Sequence, residues 1–191
     1  MRQKVQALVM LVVLLGASKV FAADTYTVDP AHTSFGFTVK HMMISNVIGE
    51  FDKFDGQIVY SPTDLANAKA NITIDVDSIN TRIDKRDAHL KSPDFFDAAK
   101  FPSISFVSTK FTVSSITGNL TIKGVTKQVT IPVTISGPVK TMMGKEAIGI
   151  TGAVTINRQD YGLTWNKILD QGGVAVSDDV VINISIEADQ K

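Results

Sequence analysis

The sequence predicts an all-β chain of eight or nine antiparallel strands with one short helical insertion. Three observations carry that expectation. Apolar residues recur at every second position over most of the chain, giving each segment one apolar and one polar face. Turn-forming residues punctuate these segments at short intervals, as at Ser61-Pro62, Lys123-Gly124 and Gly172-Gly173. One stretch alone, about 82–100, is charged and lacks β-branched runs.

In chain order, strands are expected at 25–29 and 32–41, the second with Phe35, Phe37 and Val39 alternating against Ser34, Gly36 and Thr38. One long strand is expected at 47–60, with Asp55-Gly56 as a turn signal inside it, then one at 68–77 through Ile72, Ile74 and Val76. The insertion follows, and its Ser92-Pro93-Asp94 matches a helix start. Strands at 103–113, 115–123 and 127–137 come next, with Ile116 to Ile135 forming a hairpin through Lys123-Gly124. Pro132 has no N–H to give a ladder, which points to a bulge or an edge. Ser136-Gly137-Pro138 reads as a turn, and so does Ser177-Asp178-Asp179, between the last strands at 146–157 and 179–188. Evenly spaced alternating strands suit a sandwich or a closed barrel, and composition does not choose between them. Gly118, Gly149, Gly152 and Ala153 fall where a filled core wants bulk, which points to unfilled interior volume.

The first 22 residues stand apart. Arg2 and Lys4 precede an unbroken apolar run, Ala7 to Leu15, and Val20-Phe21-Ala22 places small residues where a signal peptidase reads. As a helix, nine residues span about 14 Å, too short for the roughly 30 Å of a bilayer core. Residues 1–22 are therefore expected to be a cleaved signal peptide and 23–191 a single domain, exported to the periplasm. Cleavage removes Arg2, Lys4 and Lys19, leaving 16 basic against 19 acidic residues, net −3. That balance gives no reason to expect nucleic-acid binding. Without cysteine there are no disulfides, thiolate metal sites or catalytic thiol.

A search for catalytic constellations returns little. There is no G-x-S-x-G elbow and no glycine-rich loop opening a helix. His32 and His41 flank one strand, about 30 Å apart if it is straight, too far to share a metal. His89 with Asp84, Asp87 and Asp94 is compatible with a metal cluster but matches no ligand motif. No metal, no cofactor and no catalytic residue are expected. The aromatic residues do cluster: Phe35 with Phe37, Phe51 with Phe54, Phe95 with Phe96, then Phe106, Tyr161 and Trp165. Such a set makes either an ordinary core or an apolar ligand pocket, with Arg86 and His89 as polar anchors at its mouth.

An ordered set of blocks resembles the YceI family of exported, lipocalin-like polyisoprenoid-binding proteins. The blocks are Phe35-Gly36-Phe37-Thr38-Val39-Lys40-His41, Gly49-Glu50-Phe51 and Arg86-Asp87-Ala88-His89-Leu90-Lys91-Ser92. After them come Ile116-Thr117-Gly118-Asn119-Leu120 and Asn157-Arg158 with Tyr161-Gly162-Leu163. The resemblance implies an antiparallel eight-stranded barrel around a long apolar tunnel, a homodimer in many members, and binding without catalysis. By position it assigns the tunnel lining to Phe35, Phe37, Val39, Phe51, Phe54, Phe95, Phe106 and Trp165. Head-group contact falls to Arg86 and His89. The implied ligand is a long-chain isoprenoid or quinone-like lipid. Two alternatives stay open: an enzyme acting on a lipid-like substrate in the same cavity, and an outer-membrane barrel.

Overall fold

A computed structural model describes residues 23–170 and 172–191. The signal peptide expected over residues 1–22 lies outside the described residues. Eleven strands form one antiparallel sheet: β1 (Asp24–Val28), β2 (Ser34–His41), β3 (Ser45–Phe51), β4 (Phe54–Tyr60), β5 (Lys69–Asp75), β6 (Ile79–Asn80), β7 (Ser103–Phe111), β8 (Ser115–Ile122), β9 (Val125–Lys140), β10 (Glu146–Asn157) and β11 (Val176–Gln190). The single α-helix among the described residues, α1, spans Asp84–Lys91.

The sheet closes because β11 is bordered on one side by β10 and on the other by two strands in tandem. Its residues Val176–Ser185 pair with β2, and Ala188–Gln190 pair with β1. β1 and β2 thus share one position in the ring. β3 and β4 share the next, β3 lying beside β2 and β4 between β1 and β5. Counted this way the ring has eight positions, and it is a barrel rather than a sandwich.

The strand expected at 47–60 is therefore two strands. Inward positions are odd in β3 (Gly49, Phe51) and even in β4 (Gly56, Ile58, Tyr60), so the alternation slips phase at Asp52-Lys53. Asp55-Gly56 is not a turn but lies within β4, where a Cβ on Gly56 would sit 2.4 Å from Ile72. Nor does Ser136-Gly137-Pro138 turn the chain: β9 runs on to Lys140, and a register shift opposite, between Ala147 and Gly149, absorbs the irregularity. Ser177-Asp178-Asp179 likewise lies within β11, at a register shift against β2. The Lys123-Gly124 hairpin forms as expected, both residues having positive φ, as a tight primed turn requires.

Ser92-Pro93-Asp94 ends the helix instead of starting one. Ser92 is the C-cap of α1, its hydroxyl donating to the His89 carbonyl at 2.7 Å, and Pro93 follows because it cannot continue the helix. Pro132 sits where the β9–β10 ladder stops: the last rung is Val133 opposite Gly152. Beyond it the two strands are not laddered to each other, and the Lys127 ammonium lies 3.5 Å from the Asp160 carboxylate. Most buried apolar side chains lie in two clusters inside the ring. One surrounds Tyr26, Ile58, Ile148 and Ile150, and the other Phe51, Val76, Leu120 and Tyr161.

Candidate ligand-binding tunnel

The inward faces leave an unfilled lumen. An upper chamber, with about 140 Å³ of free volume, lies at the end of the barrel that carries α1. A lower one, with about 80 Å³, lies beneath it. Phe35, Ile74, Ile104, Leu120 and Ile182 wall both chambers, so the two abut along the barrel axis. Along β11 the lining runs through Val180, Ile182, Ile184 and Ile186, about 20 Å at roughly 3.4 Å per residue.

Aromatic rings shape this space by lying flat against the wall. The Phe106 ring rests on Gly118, where an added Cβ would stand 2.4 Å from its Cζ, and the Phe37 ring rests on Gly49 in the same way. Gly118 therefore does not leave the volume empty, as its position implied: it and Gly49 each give a ring a recess, whereas Gly149 and Gly152 face Ser136 and the Pro132 carbonyl and receive no ring. Ala153 contributes nothing inside, being exposed on the outer face.

Of the residues singled out from sequence, Phe35, Phe37, Val39, Phe51 and Phe95 line the upper chamber, Phe35 and Phe106 the lower. Phe54 stands behind the wall, its ring edge-on to Phe35 at 4.9 Å. Trp165 caps the upper end with His89 and Phe95, the three ring centroids 5.0–5.2 Å apart. His89 Nε2 lies 3.0 Å from Asp94 Oδ2. Arg86 is committed elsewhere: its Nε donates to the Thr81 hydroxyl at 2.8 Å and its Nη2 to the Thr81 carbonyl at 2.7 Å. Asp87 accepts from the Thr81 amide and hydroxyl, so Arg86 and Asp87 meet through Thr81 and anchor the start of the insertion.

Sequence reasoning passed over Arg158, which borders the upper chamber at 5% exposure. All five of its N–H groups are engaged: by the carbonyls of Ser177 (2.9 Å), Leu163, Trp165 (2.9 Å) and Val176 (3.5 Å), and by Asp178 Oδ1 (3.2 Å). Burial lowers its pKa, opposed by the nearby Asp178 carboxylate. Tyr161, also on the wall, has its hydroxyl pKa raised by burial and then by Asp160. Asn166 adds to the tie, donating to Val176 O at 2.8 Å and accepting from Val176 N at 3.1 Å. The Lys123 ammonium reaches the carbonyls of Pro93 and Gly162 at 3.0 and 3.4 Å. The insertion, the 158–166 segment and the β8–β9 hairpin are thereby clamped together over one side of the chamber. On the other side the rim is formed by Val39, Val176 and Val180, at the paired ends of β2 and β11; they are half-buried, like Leu90 and Phe96 of the insertion, whereas Phe35, Phe51, Leu120 and Tyr161 are buried deeper in the wall.

One His/carboxylate group occurs among the described residues, away from the lumen: Asp29, His32 and Glu187 place ligand atoms within 4.8 Å of one another. Both Asp29 oxygens are already used, Oδ1 by the Ala31 amide (2.9 Å) and Oδ2 by His32 Nδ1 (2.6 Å). The group reads as an ion pair that braces the turn between β1 and β2.

Residues 26–188 match the model of the YceI-like domain. The chain belongs to the YceI family. A UPF0312 protein of Staphylococcus aureus (strain MSSA476) is 42% identical over 163 residues, 85% of this chain and 95% of the relative. Among solved structures, BcnA of Burkholderia cenocepacia superposes with a TM-score of 0.73 at 28% identity, covering 84% of this chain and 98% of its own. A polyisoprenoid-binding domain from Saccharophagus degradans, implicated in plant cell wall breakdown, shares the fold with a TM-score of 0.64 at 16% identity, covering 87% and 98% of the two chains. YceI membership agrees with the closed eight-position barrel.

Proposed function

We propose that this YceI protein is an exported carrier that holds one long apolar chain, an isoprenoid or quinone-like lipid, inside its barrel. The observation that carries the reading is the pair of abutting chambers, whose walls are apolar except for Arg158 and Tyr161. Arg158 has no N–H left to grip a head group. Binding then rests on the tail. Each buried CH₂ contributes about 0.8 kcal/mol, so a long chain needs few polar contacts. The polyisoprenoid-binding domain of the same fold supports that ligand class, and the N-terminal pattern supports export to the periplasm. The apolar faces point inward, the reverse of a barrel embedded in a bilayer. The acidic residues lie outside the lining, which leaves acid–base chemistry in the lumen without its usual carboxylates.

Mass spectrometry of organic extracts from gently purified protein tests the proposal. The wild type should release a long-chain lipid, and Phe37→Asp, which puts a carboxylate into the upper chamber, should release little or none. Equal amounts from both proteins would defeat it.

A further inference from the structure

At the β2–β11 rim of the upper chamber the β2–β3 turn presents Met42, Met43 and Ile44 to solvent at 43%, 56% and 84% exposure. Met42 and Met43 both have positive φ, 50° and 63°. Asparagine and glycine suit such positions, whereas unbranched apolar side chains gain nothing from them locally. The neighbouring Ile168 and Val174 extend the apolar surface. Ile168, 79% exposed, is bridged to Val174, and the Met43 side chain lies 3.7 Å from where a Cβ on Gly173 would be. The patch borders the rim of the upper chamber: Met42 N donates to Ala175 O at 2.9 Å, next to the lining residue Val176. Lys40 and Lys167 flank it and are exposed, against one acid between Ile168 and Val174, Asp170.

We infer that this tip is a membrane-docking surface, through which the barrel sits on a bilayer carrying anionic lipid and takes a lipid tail directly into its mouth. The inference rests on the carrier reading and adds where the ligand enters. Three features favour a bilayer as the occupant. The apolar tip adjoins the rim that a tail must pass. Its flanking lysines match an anionic surface. Its flexible methionines adapt to a disordered apolar phase. A second Met pair, Met142-Met143 in the β9–β10 turn at the opposite end of the barrel, is still more exposed, at 107% and 92%, and lies away from the residues that line the chambers, so it is an internal control.

The test is co-flotation with vesicles of phosphatidylcholine and phosphatidylglycerol, alongside direct loading of an apolar fluorescent probe in the absence of vesicles. Met42→Asn/Met43→Gly removes both side chains and puts suitable residues into a turn with positive φ, so folding is preserved. This variant should bind vesicles at least about tenfold more weakly, given the apolar area removed. It should still take up the probe directly, and load more slowly from vesicles. Met142→Ser/Met143→Ser should behave as wild type. Undiminished flotation of the first variant, or an equal loss in both, would overturn docking while leaving the tunnel intact. A wild type that self-associates through this tip, with no vesicle binding, would overturn it in favour of a second copy as the occupant. Loss of direct probe uptake in every protein, with Met42/Met43-dependent flotation retained, would contradict the carrier reading and not the docking surface.

Discussion

Arg158→Met separates a structural tie from a ligand contact. The substitution keeps an unbranched apolar stem and removes five N–H donors. The acceptors they leave are unequal. Leu163 is buried, and an acceptor stranded there costs about 1–3 kcal/mol. Trp165 and Ser177 are half-buried and reach water in part, so each contributes nearer about 1 kcal/mol. Val176 O keeps Asn166 as a donor. Asp178 is 46% exposed and loses a pair worth little in solvent. Relief from burying a guanidinium, whose pKa burial lowers, offsets part of the loss. A net destabilisation of about 3 kcal/mol remains, or roughly 6–12 °C in Tm for a chain of this size. Thermal unfolding followed by circular dichroism measures the shift, and probe binding well below the transition should stay within about threefold of wild type. An unchanged Tm with collapsed ligand binding would refute the reasoning and make Arg158 a ligand contact.

Other predictions follow from the same geometry. Gly118→Ala must displace the Phe106 ring into the lower chamber, costing about 1–3 kcal/mol of stability and shortening the longest chain bound, as a ligand-length series would show; tolerance of the full-length ligand would contradict the recess. Trp165 is the only tryptophan and touches Phe95 on the chamber wall, so its fluorescence should change when the lumen fills, and an unresponsive signal would place the ligand elsewhere. The His32–Asp29 pair gives a pH signature. Asp29 raises the His32 pKa, first by hydrogen bonding and then by charge, and His32 lowers that of Asp29. The His32 contribution is full below the unfolded value near 6.5 and fades as pH rises through the raised folded value. The Asp29 contribution is lost as pH falls through its lowered one. His32→Gln should therefore destabilise the protein more at pH 5 than at pH 9 in urea unfolding, and equal effects at both would remove the ion pair from the account.

Much of the barrel was legible because its wall obeys a single period. Strand alternation put Phe35, Phe37 and Val39 on one face without knowledge of their partners, and the family resemblance supplied Phe106. What escaped was set by pairing. β3 and β4 read as one strand because Phe51 and Phe54 are both apolar, yet the switch from odd to even inward positions at Asp52-Lys53 was visible in the sequence. Ser136-Gly137-Pro138 and Ser177-Asp178-Asp179 have turn composition, but each lies in a strand that neighbouring ladders hold extended through a register shift. Arg158 was hidden for another reason. A lone arginine after a strand looks solvated, and only the return of 163–165 and 176–178 around it supplies the carbonyls that allow burial. Arg86 looked like a mouth residue for the converse reason, since its partner Thr81 does not resemble an anion site in sequence.

The central claim is that the lumen binds a tail by its length. Titrating the protein with a series of ligands that share one head group and differ in chain length tests it most directly. At about 0.8 kcal/mol per buried CH₂, affinity should rise about fourfold with each added carbon and level off once the two chambers are filled. Affinity that is independent of chain length, and follows the head group instead, would contradict it.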